Sequence, residues 1–316
     1  MIVTICLLIY SVLVVTIGPP LLRRLTRDAQ VPLLGVAAWL TAIVTVLISW
    51  VTALAVLATQ LTQHWDHQGN LVALCVAQLR VIATGEAGGP AQIALWALVV
   101  ATSGLLTLTG IRLTVRLNGM RRRSHRHAEA VRLVGRRTAA PDVVVLDSAE
   151  PAAYCVSGRP PAIVVTSAAV AALDTRQLGA VVAHERAHLA GRHPHIVAAV
   201  HGLAGALPRL ALMTQGAAQV ARLLEMRADD VAARDHGREA LLSGLLAMSG
   251  SATPAGALGA ADVAVLERAR RLTALRTGAA HTRCKAALTS TMTMLLAGPL
   301  AITAMAASGL LVCGMA

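Results

Sequence analysis

Four long stretches of this chain contain no charged residue. They cover residues 1–22, 29–63, 87–111 and 286–316. Each stretch reaches the roughly 20 residues that an α-helix needs to cross the hydrocarbon layer of a membrane. Buried helices of a soluble core are the alternative, but four such stretches are difficult to place in one core. The pattern therefore predicts four transmembrane helices, with the bounds 2–22, 33–58, 91–111 and 287–312.

The long charged segment between the third and fourth spans has the pattern of an α+β domain. Three short runs separated by turn residues, two of them rich in β-branched residues, predict strands of a small antiparallel sheet. Asp174 and Gln177 have the spacing of a capping box, which predicts that a helix begins there. The strands are expected at 143–146, 153–156 and 163–166, and later helices at 195–207, 217–236 and 262–276.

The positions of the arginines predict how the chain crosses the membrane. Arginines are concentrated after the first and third spans, whereas the loop 64–90 contains only Arg80. Because positively charged loops stay in the cytoplasm, both termini are expected outside. The sequence thus predicts a mainly α, multi-pass protein of the plasma membrane. Its parts are three spans in 1–111, a cytoplasmic domain in 112–285 and a fourth span in 286–316.

The composition agrees with a membrane protein and argues against direct binding of nucleic acid. Apolar residues make up 56% of the chain, and the mean hydropathy is +0.64. The net charge is +12, but the densest basic cluster, 120–126, adjoins the third span, where it suits lipid headgroups. Phe is absent and Tyr occurs only twice, so bases would find few stacking partners. The expected partner is the lipid bilayer.

The five cysteines show no Cys-x-x-Cys spacing. Cys155 and Cys284 fall in the predicted cytoplasmic domain, where thiols stay reduced. Cys6, Cys75 and Cys313 fall near the predicted outer surface. A disulfide among these three and buried free thiols both agree with the sequence.

The candidate chemistry lies in a His-Glu-x-x-His motif of the predicted cytoplasmic domain. His184 and His188 are four residues apart. In a helix, their two imidazole rings would lie on the same face and could bind one Zn²⁺. Glu185 is rotated away from that face, which leaves its carboxylate for general-base catalysis. Two solvated histidines on a surface helix are the alternative. The combination of residue types favours a zinc peptidase.

A second acidic motif offers the remaining ligand. A catalytic zinc has three protein ligands and one open position. Glu225 is the predicted third ligand, and an ion pair with Arg222 or Arg227 is its alternative role. Asp229 lies one turn later on the same face and is predicted to hydrogen-bond a ligating imidazole, with Asp230 as its competitor.

The sequence also offers candidates for substrate binding. The strand around Ala153 and Tyr154 is predicted to bind an extended substrate by strand addition. His193, Arg234 and His236 are candidates to stabilise the oxyanion, and the sequence does not choose among them. Together these residues predict a zinc endopeptidase.

At these motifs the chain resembles the BlaR/MecR-type membrane zinc metallopeptidases, a gluzincin-like family. The resemblance rests on the order of spans and domain and on three segments: HERAH at 184–188, EMRADD at 225–230 and PAAYCVSG at 151–158. It implies a zincin-type fold in which His184, His188 and Glu225 hold one zinc ion and Glu185 is catalytic. It further implies that the substrate is a cytoplasmic winged-helix repressor in a signalling pathway.

One departure from that family changes the expected stimulus. Its antibiotic receptors carry an extracellular penicillin-binding domain after the fourth span, and this chain is expected to lack it. Direct binding of β-lactams is therefore not expected. A signal would arrive through the spans, the outer loop or a partner.

Two other functions agree with parts of the sequence. HtpX-type heat-shock membrane proteases share the motifs and would make the chain a quality-control peptidase. Those proteases usually place two spans between the motif helix and the later glutamate, whereas this chain has one apolar helix there. A non-catalytic membrane receptor or scaffold is the other candidate, but it would have no use for Glu185 as a general base.

Overall fold

The structure, a computed structural model, describes residues 2–62, 89–249, 260–274 and 278–307. Ten helices and four strands lie in these ranges. The helices are α1 (Ile2–Thr26), α2 (Pro32–Thr62), α3 (Gly89–Val134), α4 (Ser167–Ala172), α5 (Thr175–Ala190), α6 (His193–Ala206), α7 (Ala211–His236), α8 (Arg238–Ser249), α9 (Ala260–Thr273) and α10 (Gly278–Ala307). The strands are β1 (Arg136–Arg137), β2 (Val143–Leu146), β3 (Ala153–Val156) and β4 (Ala162–Thr166).

Three of the described helices are long and apolar enough to cross a membrane. They are Val3–Thr26 in α1, Pro32–Val56 in α2 and Gly278–Met305 in α10. Each carries exposed apolar side chains, among them Ile9, Val51 and Leu300. Apolar faces of this kind are suited to contact with lipid. The three helices coincide with the first, second and fourth predicted spans and support a membrane protein.

The predicted third span forms the first part of α3, a continuous helix of 46 residues. Many of its side chains lie outside the described residues, and α3 is not among the three candidate spans. Four spans are therefore not shown. The predicted domain boundaries fall inside α3 and α10, so the division of the chain stays a prediction. Most of the outer loop 64–90, together with Cys75 and Cys313, lies outside the described residues.

The sheet is mixed, which corrects the prediction of an antiparallel sheet. Its strand order is β1-β2-β4-β3, with β2 parallel to β4 and the other two pairs antiparallel. Strand β4 lies between β2 and β3. All five of its residues are buried, as is typical of a central strand that is covered on both faces. As a result, β3 becomes an edge strand. Strand β1 forms the other edge.

The motif helix α5 begins as the sequence predicts. The Asp174 side chain accepts from the backbone N–H of Gln177 at 2.8 Å, and the Gln177 side chain accepts from the backbone N–H of Asp174 at 3.0 Å. The helix ends at the cap residue Gly191. Arg192 then adopts a left-handed conformation with φ of 52°, and His193 begins α6. This tight turn brings His193 back towards α5.

Helix α7 packs against the membrane helix α2 on one side and against α5 on the other. Two glycines allow the close approach of α7 and α2. A β-carbon at Gly216 would lie 3.0 Å from Ile43 and 3.3 Å from the ring of Trp39. A β-carbon at Gly35 would lie 3.0 Å from Leu223. The motif-bearing part of the chain is therefore anchored on a predicted span.

We expect the Trp39→Ala variant to unfold at a markedly lower temperature than the wild type. Trp39 is 0% exposed, and truncation of a buried Trp costs about 3–5 kcal/mol. The measurement is thermal unfolding in detergent, followed by far-ultraviolet circular dichroism. Val51→Ala, at an exposed position of the same helix, is the control and should unfold like the wild type. Wild-type stability of Trp39→Ala would show that this contact contributes little.

Candidate metal centre

Three side chains from α5 and α7 converge on one point. The Nε2 atoms of His184 and His188 are 3.1 Å apart. Glu225 Oε2 lies 3.4 Å from His184 Nε2, and Glu225 Oε1 lies 3.3 Å from His188 Nε2. One ligand atom from each side chain lies within 4.8 Å of the others. The structure thus brings together the three residues that the sequence predicts as metal ligands.

The donor set fits a zinc ion better than a hard cation. Two imidazoles and one carboxylate match the ligands of catalytic zinc sites, whereas Ca²⁺ and Mg²⁺ prefer oxygen ligands only. The side chains of His184 and His188 are 6% and 11% exposed, but that of Glu225 is 44% exposed. The cluster is therefore buried on the imidazole side and open on the carboxylate side. Burial would raise the pKa of Glu225, but hydrogen bonds to both histidines outweigh it and lower this pKa.

Asp229 holds the far side of His184. Its side chain is fully buried, and its Oδ1 lies 3.0 Å from His184 Nδ1. This contact leaves Nε2 of His184 directed at the other two ligands and fixes the tautomer. Burial lowers the pKa of His184, but hydrogen bonds to Asp229 and Glu225 outweigh it and raise the pKa to about 9. The competitor Asp230 instead pairs with Arg271 at 2.8 Å.

His193 occupies the equivalent position behind His188. The two Nδ1 atoms are 2.9 Å apart, and His193 is buried. Burial lowers the pKa of His193 to about 4, so the ring is neutral and can accept the N–H of His188. A β-carbon at position 191 would lie 2.3 Å from His193 Nε2, which explains the glycine there. The structure therefore places this oxyanion candidate behind a ligating ring.

Glu185 lies beside the cluster and faces the sheet. Burial raises the pKa of Glu185. Burial and the nearby Glu185 carboxylate raise the pKa of Cys155 on β3 to about 12, so this thiol stays protonated. The predicted general base thus lies next to the edge strand.

Arg268, on α9, is a site residue that the sequence analysis missed. Its guanidinium donates to both carboxylate oxygens of Asp229, at 2.9 and 2.6 Å, and lies 3.4 Å from Glu225 Oε2. These contacts and the hydrogen bond to His184 outweigh burial and hold the pKa of Asp229 below its usual value. The available signal was the predicted basic helix at 262–276, but the pattern does not show which of its arginines points inward.

The remaining candidates lie in different places. Ala153 and Tyr154 lie on β3, which packs against α5. The Tyr154 hydroxyl, however, lies 3.2 Å from a ring nitrogen of His127 on α3. His236 packs over Gly179, where a β-carbon would lie 3.0 Å from the ring. Arg234 lines a separate cavity, so the structure does not bring His236 or Arg234 to the cluster.

A comparison with models of protein families gives a match that covers the candidate site. The model of "Peptidase family M48" matches residues 117–295, more than half of the chain, including both motifs. No curated protein and no solved structure gave a match. The match supports a membrane metallopeptidase broadly and does not extend to the BlaR/MecR subtype. The chain belongs to peptidase family M48, a family of metal-dependent peptidases that are usually associated with membranes.

Proposed function

We propose that this chain is a zinc endopeptidase embedded in the cell membrane, and that it hydrolyses peptide bonds of a cytoplasmic protein. The convergence of His184, His188 and Glu225, with Glu185 beside them, is the observation that supports this proposal. A non-catalytic receptor would need neither an open side to the cluster nor a half-buried carboxylate next to it.

The residues of the site divide the work of peptide hydrolysis. When bound, zinc supplies Lewis acidity that activates water and polarises the scissile carbonyl. Glu185 accepts a proton from the attacking water and passes it to the leaving amine. Its raised pKa suits this exchange, because a general base works best when its pKa is near the working pH. Asp229 and His193 hold the two imidazoles in the orientation that binds the metal.

The edge strand β3 is the proposed binding site for the substrate backbone. Its outer edge pairs with no other strand among the described residues. An extended segment that added to Ala153 and Tyr154 would run beside α5 and bring a peptide bond towards Glu185, which contacts Cys155 on the same strand. Because strand addition reads the backbone, this mode favours unfolded or flexible segments.

A cavity beside the cluster is suited to bind an apolar side chain of the substrate. It has a volume of about 560 Å³ and opens next to His188 and Glu225. Pro194, Val197 and Leu224 form part of its wall. A substrate side chain that entered this cavity would exchange water for apolar contacts.

Two variants should separate metal binding from catalysis. Glu185→Gln is expected to keep the metal and lose hydrolysis of an unstructured test protein, because only the proton acceptor is removed. Glu225→Ala should weaken zinc binding by at least about tenfold, since the loss of a residue that only hydrogen-bonds a metal ligand already weakens binding by this factor. The control Glu150→Gln changes an exposed carboxylate and should leave both properties intact.

The measurements are zinc content of the purified full chain and cleavage of the test protein. Wild-type cleavage by Glu185→Gln would remove Glu185 from the mechanism. Unchanged zinc affinity in Glu225→Ala would show that another residue is the third ligand.

We further propose that the peptidase part faces the cytoplasm. Arg222 of α7 donates to the backbone carbonyl of Thr26 at 2.8 Å, and Arg271 of α9 donates to that of Ala29 at 3.1 Å. The site and the α1–α2 turn therefore lie at the same end of the spans. That turn follows exposed Arg23 and Arg24, and such arginine-rich ends stay inside.

The orientation predicts that a cysteine on α5 is protected in intact cells. In a background with every native cysteine replaced by serine, Arg176→Cys should react with an impermeant thiol reagent only after permeabilisation. Arg176 is exposed, so burial would not explain protection. A cysteine added at the N-terminus, expected outside, is the matched control and should react in intact cells. Labelling of Arg176→Cys in intact cells would contradict the proposed orientation and show that the peptidase part faces outwards.

The nature of the substrate has two candidates. A winged-helix repressor follows from the BlaR/MecR resemblance and would place the chain in a signalling pathway. Damaged or unfolded proteins would be the substrates of an HtpX-like quality-control peptidase. The edge strand favours the second candidate, because backbone pairing tolerates many sequences.

Cells that express Glu185→Gln should accumulate the uncut substrate. Comparison of their proteome with that of wild-type cells, with Glu150→Gln as control, separates the candidates. A single intact DNA-binding repressor would support the signalling role, and its absence would contradict it. Accumulation of many membrane-associated or unfolded proteins would support quality control.

A further inference from the structure

A basic cavity lies next to the candidate metal centre but does not include it. Its volume is about 450 Å³, and none of the three clustered ligands lines it. Its wall is formed by the α1–α2 turn and by parts of α7, α8, α9 and α10. Four arginines line it, with one carboxylate: Arg227, Arg234, Arg238, Arg271 and Asp230.

The cavity lies where two candidate spans reach the membrane surface. Pro32 and Leu33, which line it, are the first residues of the span in α2. His281, on the opposite wall, lies in the first turn of the span in α10. The phosphates of lipid headgroups are found at this level of a bilayer, and basic pockets between spans at the cytoplasmic side bind them.

Among the described residues that line the cavity, arginines outnumber carboxylates. Asp230 pairs with Arg271, which also donates to the backbone carbonyl of Met226. Arg227 and Arg234 form no hydrogen bond or ion pair with any residue in the described part of the chain. Two guanidinium groups therefore face a shared space, and neither has a carboxylate partner in the ranges that the structure describes. Guanidinium groups bind phosphate oxygens in pairs of parallel hydrogen bonds.

We propose that this cavity binds the phosphate group of an anionic phospholipid. The basic wall would contact the phosphate, while the exposed Leu33 offers an apolar surface for the glycerol and the upper acyl chain. A free phosphate ion would gain nothing from that apolar surface. The headgroup would cross-link the arginines of α7 and α8 with Arg271 of α9.

The position of the lipid links the membrane to the metal centre. Arg271 lies one turn after Arg268 on α9, and Arg268 holds the buried Asp229. A headgroup that bound Arg271 together with Arg227 and Arg234 would hold α9 against α7. Lipid binding itself does not depend on peptidase activity, so the proposal can fail or succeed independently of the proposed function.

The test measures lipid retained by the purified full chain. We expect native mass spectrometry to show one tightly bound lipid after exchange into vesicles that contain phosphatidylglycerol, and none in pure phosphatidylcholine. The double variant Arg227→Gln/Arg234→Gln should bind phosphatidylglycerol about tenfold or more weakly, because two charge-assisted contacts are lost. The matched control is Arg23→Gln/Arg24→Gln, which removes the same charge from exposed residues at the same end of the spans.

The outcomes distinguish a built site from general attraction. Wild-type retention by the cavity variant, or an equal loss in the control variant, would overturn the proposal. If inorganic phosphate alone protects the detergent-solubilised chain against heat as strongly as phosphatidylglycerol does, the lipid assignment is overturned. Should the double variant fail to fold, as judged by circular dichroism, the exposed Arg234→Gln alone replaces it and should show a smaller loss in the same direction.

Discussion

The position of α7 between α2 and α5 is the constraint on which the rest of the structure depends. One face of α7 presents Gly216 and Leu223 to α2, and another presents Glu225 and Asp229 to the motif helix. The buried cluster around Trp39 combines residues of α1, α2, α7 and α10. The geometry of the third ligand is thereby tied to the packing of the predicted spans. A change in that packing would move Glu225 relative to the two histidines, although the motif itself would remain intact.

Three ion pairs, two of them largely buried, fix α9 on α7. The pairs run in both directions between these helices: Arg222 with Glu267, Asp229 with Arg268, and Asp230 with Arg271. Ions removed from water are stable only with well-placed partners, so a shift of one helical turn would leave several charges unpaired. The network therefore sets the register of α9 more strictly than apolar packing would. Two of its arginines also bind the carbonyls of the α1–α2 turn, so one network connects the candidate metal centre to the ends of the candidate spans.

Local features of this fold could be predicted from the sequence, and features of assembly could not. The capping box at Asp174 and the strand at 143–146 depend on neighbouring residues, and both occur where predicted. The sheet order depends on which strand is covered on both faces, a property of the whole domain. Helix α8 was missed because glycines interrupt its Ala- and Leu-rich pattern. The spacing of His184 and His188 predicts a shared face, but their distance from Glu225 follows only from the contact of α5 with α7.

The motif predicts the chemistry of the candidate site but does not predict its substrate. Five residues with helical spacing determine where a metal can be held, and the same arrangement serves unrelated substrates. Selectivity depends on the surfaces around the metal, which here are the β3 edge, the apolar cavity near Val197 and the open side of Glu225. The cavity is built from elements far apart in the chain, and the edge position of β3 depends on the order of the whole sheet. Because α6 and α7 also contribute to the apolar cluster next to the candidate spans, a substrate of the proposed peptidase that reached the cavity would approach close to these helices. In the proposed function, proximity to the bilayer would therefore itself be a source of selectivity, in addition to any preference for sequence.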